Sequence, residues 1–115
     1  MNGAELITQI LKAHGVEHVS VLCGNGLNAF LQACMDAGVR IIDTRNEQAA
    51  AYIADSFGAM SGRLGVVAVS AGPGHTNALT GLANAWWDGR PMLLISGCSE
   101  APTRGLGHFQ ELDQV

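Results

Sequence analysis

The sequence predicts an α/β fold: a flavodoxin-like, doubly wound parallel sheet with helices on both faces. Three observations predict it. Helical and strand patterns alternate along the chain, the order that builds βαβ units. The run Leu64-Gly65-Val66-Val67-Ala68-Val69 is apolar without a break, as in a strand covered on both faces. Two strand ends give way to residues suited to a ligand, Asp43-Thr44-Arg45-Asn46-Glu47 and Ser70-Ala71-Gly72-Pro73-Gly74. On an open parallel sheet both lie at the carboxyl edge, where such folds hold their ligands.

Asn2 with Glu5 three residues on has capping-box spacing, and Leu6, Ile7, Ile10 and Leu11 form an apolar stripe at helical period. His14-Gly15 ends that helix. His18 to Leu22 is a short strand, Cys23-Gly24-Asn25-Gly26 a turn, and Leu27 to Asp36 a second helix closed by Gly38. A strand from Arg40 to Thr44 leads into a long helix from about Asn46 to Met60, which Gly62 ends. After the apolar strand Leu64 to Val69, the Gly72-Pro73-Gly74 turn opens a helix from about His75 to Trp87. Asp88-Gly89-Arg90-Pro91 turns the chain into a strand from Met92 to Ser96. The tail from Gly97 to Val115 reads as irregular, with a short helical turn near Phe109 to Asp113. Four strands are few for such a sheet, so the domain is expected to continue past Val115.

The chain has 115 residues, enough for one domain. It is 48% hydrophobic and only 14% charged, where about 25% charged is usual. So few charges cannot cover a small globule, and much of the surface is expected to pack against further chain or another subunit. A net charge of −4 and scattered basic residues argue against a nucleic-acid partner. No apolar run approaches the roughly 18 residues of a membrane span, and Met1-Asn2-Gly3-Ala4-Glu5 lacks the start of a secretory signal. Cys23, Cys34 and Cys98 form no C-x-x-C and read as reduced thiols, which suits a cytoplasmic protein. His14 and His18 are four apart, but Gly15 falls between them at a helix end, so no metal-ligand spacing emerges.

Glu47 is the first candidate for chemistry. By itself it reads as an acid in the first turn of a helix, worth about 0.3–1 kcal/mol against the helix dipole. The helix behind it, Gln48-Ala49-Ala50-Ala51-Tyr52-Ile53-Ala54, is almost uncharged, as in a helix buried on most sides. Its alanines would admit a neighbouring backbone closely. A glutamate at the mouth of that environment is expected to be desolvated, which strengthens any hydrogen bond it makes. Gly72-Pro73-Gly74 is the second candidate. It lacks the third glycine of a dinucleotide fingerprint and the Gly-Lys-Ser/Thr of a P-loop. Its proline removes an amide donor that a phosphate at the helix N-terminus would need, so a flat ring packed on the loop suits it at least as well.

Five motifs stand in order: Arg45-x-Glu47-x-x-Ala50, Gly72-Pro73-Gly74-x-x-Asn77, Ala85-x-x-Asp88-x-x-Pro91, Ile95-x-Gly97 and Phe109-Gln110-Glu111-x-Asp113. Their order and spacing resemble the thiamine-diphosphate enzymes of the acetolactate synthase, benzaldehyde lyase and oxalyl-CoA decarboxylase superfamily. The resemblance runs over the whole chain. Ile41 to Arg45 and Ala83 to Trp86 look closest to the benzaldehyde lyase branch, and Phe109-Gln110-Glu111 to acetolactate synthases.

The resemblance implies an N-terminal pyrimidine-binding domain, spanning residues 1–115 and incomplete at its C-terminal end. It implies that Glu47 hydrogen-bonds the pyrimidine N1′ of thiamine diphosphate and favours the imino tautomer that deprotonates the thiazolium carbon. Gly72, Pro73 and Asn77 would line the pyrimidine pocket, while Asn25, Gly26 and Gln110 would face the substrate, a 2-keto acid or 2-hydroxy ketone. The whole enzyme would be a lyase, decarboxylase or carboligase, a homodimer or tetramer through the face of this domain. The family's Gly-Asp-Gly motif, which holds Mg²⁺ and the diphosphate, is absent from these 115 residues, so they carry half a cofactor site and the chain alone is expected to be inactive. Some relatives carry FAD; nothing here indicates it.

The turn Cys23-Gly24-Asn25-Gly26 departs from relatives that carry a histidine there, and His75 and His108 read as surface or packing histidines. Of Trp86 and Trp87, about 100° apart on a helix, one is expected to fill the core and the other an interface. Cys98 is expected to be a buried, inert thiol. A competing reading remains open: a non-catalytic fragment, or one subunit of a split enzyme, acting as a binding or assembly module.

Overall fold

The chain, seen as a computed structural model that describes residues 1–114, alternates helix and strand throughout. The order is α1 Gly3–Ala13, β1 His18–Leu22, α2 Asn28–Asp36, β2 Arg40–Asp43, α3 Glu47–Ser61, β3 Gly65–Val69, α4 Pro73–Trp87 and β4 Met92–Ser96. Val115, where the expected tail ends, lies outside the described residues. The strands form one parallel sheet in the order β2-β1-β3-β4. Val19 pairs with Ile41, Ser20 with Val67, and Val67 with Leu94. The connection from β1 steps outward to β2, and the next crosses back over β1 to β3. The strand order therefore reverses between β1 and β3, and their carboxyl ends open the crevice of a doubly wound sheet.

The period of two along β3 divides the core. Val66 and Ala68 face Leu11 of α1 and Phe30 and Cys34 of α2. Val67 and Val69 face Ala50, Ala51 and Ala54 of α3 and Ala78 of α4. All five residues of β3 are buried, which is why its sequence runs apolar without alternation. Ser20 is the polar exception at the sheet centre, and its hydroxyl donates to the Ala50 carbonyl at 2.7 Å, as a buried hydroxyl must.

Helices α3 and α4 pack through small residues. The buried positions are Ala50, Ala51, Ala54, Asp55 and Gly58 on α3, and Gly74, Ala78, Gly81 and Ala85 on α4. A Cβ on Gly81 would collide with the Ala51 side chain, so the alanine run does admit a neighbouring backbone. Asp55, the single charge of α3's buried face, is 1% exposed. It accepts from Asn84 Nδ2 at 2.7 Å and from Arg90 Nη1 at 3.0 and 3.2 Å.

The structure corrects several expectations. The α1 stripe has the expected period but another phase: Thr8 and Leu11 face inward, whereas Leu6, Ile7 and Ile10 are 44–50% exposed. Helix α3 is not buried on most sides, since Gln48, Ala49, Tyr52, Ile53 and Met60 lie on an open face. Neither tryptophan fills the core: Trp86 and Trp87 are 83% and 85% exposed. The inward positions of α4 are already taken by the row that ends at Ala85, which throws the next two residues outward. Helix α4 begins at Pro73, two residues early, because proline suits the first helical position. The helical turn of the tail falls at Ala101–Thr103, as a 3₁₀ turn, and not at Phe109 to Asp113. Among the described residues no helix is long and apolar enough to cross a membrane.

Candidate functional site

The site grows from two helix starts. Asn46 is the N-cap of α3, extended at φ −159°, and its side chain accepts from the amides of Gln48 and Ala49. Because Asn46 satisfies those amides, the Glu47 carboxylate is not used as a cap. Thr44 Oγ1 donates to the Val21 carbonyl at 3.0 Å, which ties the approach to α3 onto the central strand. Helix α4 starts from Gly72, whose φ of 60° lies in the region glycine tolerates.

Across this gap Asn77 Nδ2 donates to Glu47 Oε2 at 3.1 Å. Glu47 Oε1 has no hydrogen-bond partner among the described residues, and a Cβ on Gly74 would stand 3.5 Å from it. The carboxylate is half-buried, held at one oxygen and open at the other. It is thus not sealed from water in this chain, as the apolar helix suggested, because α3 keeps an open face.

The second half of the site lies over the Gly72 turn. A Cβ on Gly72 would run into the Gln110 carbonyl, so the strap after Gly105 touches the glycine-rich loop at Gln110. Asn25 Nδ2 donates to the Phe109 carbonyl at 3.2 Å, and Gly26 packs against Gly97 and Cys98. Gly72 is buried, while Pro73, Asn77, Asn25 and Gly26 are exposed and Gln110 is half-buried. Asn25, Gly26, His108 and Phe109 line an open cleft of about 680 Å³. Glu47 and Asn77 therefore meet directly, as do Gly72 and Gln110, and Gly72-Pro73-Gly74 joins the two pairs.

A carboxylate and a glycine-rich turn in one crevice can hold a flat, nitrogen-bearing ring, and the comparison with known proteins gives the family. Residues 1–115 match the family of the thiamine pyrophosphate enzyme, N-terminal TPP binding domain. The chain belongs to this family. It is 41% identical over 114 residues to 2-hydroxyacyl-CoA lyase 2 of Danio rerio, covering 99% of this chain and 18% of that protein. The human 2-hydroxyacyl-CoA lyase 2 is 39% identical with the same coverage. Acetolactate synthase large subunit IlvG of Mycobacterium tuberculosis is 37% identical over 115 residues, covering 100% of this chain and 21% of that protein. The chain thus spans about a fifth of the length of these relatives. The family is the one its motifs resemble.

Other parts of this TPP-binding domain were less legible. Cys98 is exposed, not buried, because Gly97 turns inward against Asn25 and Gly26 and the next side chain points away. His75 is half-buried, with Nδ1 2.6 Å from Ser96 Oγ, and packs beside β4; His108 is exposed. Sequence reasoning gave no role to three residues. Ser70, 7% exposed, packs under Gly24 and Gly74. Gln114 accepts from the Gly72 amide at 2.7 Å and donates to the Gly97 carbonyl at 3.1 Å. Glu111 lies within a recognised motif, yet nothing in the motif signals that its carboxylate turns back onto the chain at Gly105. With His75, Ser96, Cys98 and Arg104, Glu111 and Gln114 line a cavity of about 550 Å³.

Proposed function

We propose that this chain supplies the pyrimidine side of a thiamine diphosphate site in a lyase, decarboxylase or carboligase. Such an enzyme makes or breaks a carbon–carbon bond next to the carbonyl of a 2-keto acid or 2-hydroxy ketone. The carrying observation is the Glu47 carboxylate, fixed at Oε2 by Asn77 and open at Oε1. That donor set fits the cofactor's pyrimidine: an acid at a helix N-terminus, an amide that orients it, and a loop of small residues beside it. Bound thiamine diphosphate supplies a nucleophilic carbon and an electron sink.

On this reading Glu47 holds a proton against the pyrimidine N1′, and Asn77 keeps the carboxylate aimed. Gly72, Pro73 and Asn77 wall the ring. Asn25, Gly26 and Gln110 stand on the substrate side, which the open cleft beside Asn25 supports. The lyase and synthase names of the relatives support carbon–carbon chemistry. The reading assigns Mg²⁺ to a Gly-Asp-Gly motif of the kind the resemblance implies, which these 115 residues do not contain. The open face of α3 with Tyr52, Ile53 and Met60 supports assembly as a homodimer or tetramer. Three free thiols support a cytoplasmic setting.

The test is deuterium exchange at the thiazolium C2 of thiamine diphosphate bound to the protein that carries this chain. Glu47→Gln is expected to slow exchange by about 10²-fold or more, the usual share of a positioned acid–base group. Wild-type exchange in that variant overturns the assignment.

A further inference from the structure

Gln110 is the single non-glycine residue with positive φ among the described residues, at 60°. A bulky residue in that region is uncommon and persists only where its surroundings hold it there. Three contacts do so. On the side before it, Asn25 Nδ2 holds the Phe109 carbonyl. Beneath it, the Gln110 carbonyl rests on Gly72, where no Cβ would fit. On the side after it, Glu111 closes the strap into a ring. Its Oε1 accepts from the Gly105 amide at 2.6 Å, and its Oε2 from the amides of Gly107 at 2.7 Å and His108 at 3.1 Å. The Glu111 amide in turn donates to the His108 carbonyl at 2.9 Å. Three amides converging on one carboxylate form a charge-assisted clasp, and they hold its pKa below the usual glutamate value, the Gly105 amide contributing most.

We propose that Glu111 is a positioning residue: its carboxylate gathers residues 105–108 and thereby fixes Gln110, in its left-handed conformation, over Gly72 on the substrate side of the site. This rests on the substrate-side reading of Gln110 given above. The chemistry makes the requirement specific. A carboxylate offers acceptors on both oxygens, whereas an amide in its place offers one and turns an N–H toward the backbone donors. An aspartate keeps the charge but falls one methylene short.

The test compares Glu111→Gln, Glu111→Asp and Gln110→Ala in the protein that carries this chain, loaded with thiamine diphosphate. Three readouts are taken: hydrogen exchange at residues 105–108, the Kd for thiamine diphosphate, and turnover of pyruvate or a 2-hydroxyacyl-CoA, whichever the wild-type protein accepts. Glu111→Gln is expected to speed exchange at Gly105, Gly107 and His108. It should lower kcat/KM about 10- to 10²-fold, the scale of a misplaced group, while the Kd for thiamine diphosphate stays put. Glu111→Asp should recover part of both. The double variant Glu111→Gln with Gln110→Ala should be no slower than Gln110→Ala alone, since a positioning residue acts through its target. Unchanged amide exchange in Glu111→Gln overturns the clasp whatever Gln110 does. Additive losses in the double variant, or a loss of cofactor affinity that parallels the loss of turnover, overturn the positioning role. Wild-type kinetics in Gln110→Ala overturn the reading of Gln110 itself, and the kinetics alone reveal that.

Discussion

Asn77 and Glu47 meet across 3.1 Å, the amide of the second turn of α4 donating to the carboxylate that opens α3. The two lie 30 residues apart and belong to helices on the same face of the sheet, so their approach depends on how closely α3 and α4 pack. Gly81 against Ala51 sets that distance, and the pair near the carboxyl edge inherits it.

Removing the amide therefore leaves Glu47 in place but unaimed. Asn77→Ala is expected to slow C2 deuterium exchange of bound thiamine diphosphate about tenfold, the low end for a hydrogen bond to a charged group, because the pair is partly open to water. Its effect should be smaller than that of Glu47→Gln. An Asn77→Ala protein as slow as Glu47→Gln would mean that the amide does more than aim the carboxylate.

Asp55 anchors the far end of the same helix pair. Its side chain is 2% exposed and faces the Arg90 guanidinium at 3.0 Å, while Asn84 donates to it at 2.7 Å. Breaking a buried pair by removing one partner costs about 3–5 kcal/mol. Asp55→Ala should fall near the lower figure, because the Arg90 side chain keeps 31% exposure and a second partner in Asp88 at 2.6 Å. Urea denaturation of the two proteins measures the difference, and a loss below 1 kcal/mol would show that the network adds little.

Gly72→Ala tests the contact between loop and strap. The added methyl meets the Gln110 carbonyl at a φ of 60°, so the backbone must shift at one or the other. A cost of about 1–3 kcal/mol is expected from the strained conformation, with increased protease access to residues 105–114 as Gln114 loses the Gly72 amide. Unaltered proteolysis would show that the strap is held without Gly72.

The Glu111 clasp also predicts a pH dependence of defined sign. The amides of Gly105, Gly107 and His108 lower its pKa in the folded chain. A group with a depressed folded-state pKa stabilises the fold above its unfolded value and loses that contribution as pH falls through the folded value. Arg104, His75 and Asp113 line the same cavity, so the groups facing the clasp include both signs of charge. Amide exchange at residues 105–108, corrected for its intrinsic pH dependence, should stay constant from neutral pH down to about 4.3, the ordinary glutamate pKa, and accelerate only below it. Acceleration between pH 7 and 5 would point to a histidine instead.

The sequence alone determined the parallel α/β fold, because the period of each element and the buried run at β3 leave little choice of layers. It also singled out Glu47 and the Gly72 turn, since an acid and a flexible loop at consecutive strand ends must share one sheet edge in such a fold; Asn77 entered only through the family resemblance. Only the tertiary structure decided which faces remain open. One of Trp86 and Trp87 was expected in the core, yet the small residues ending at Ala85 had already filled the inward row of α4. The α1 stripe had the right period, but its phase depended on where Thr8 meets Cys34, with Oγ1 3.8 Å from Sγ. The roles of Asp55, Glu111 and Gln114 were hidden for a related reason. Each is defined by partners that a crossover or an irregular strap brings near, and local periodicity carries no record of contacts closed by loops.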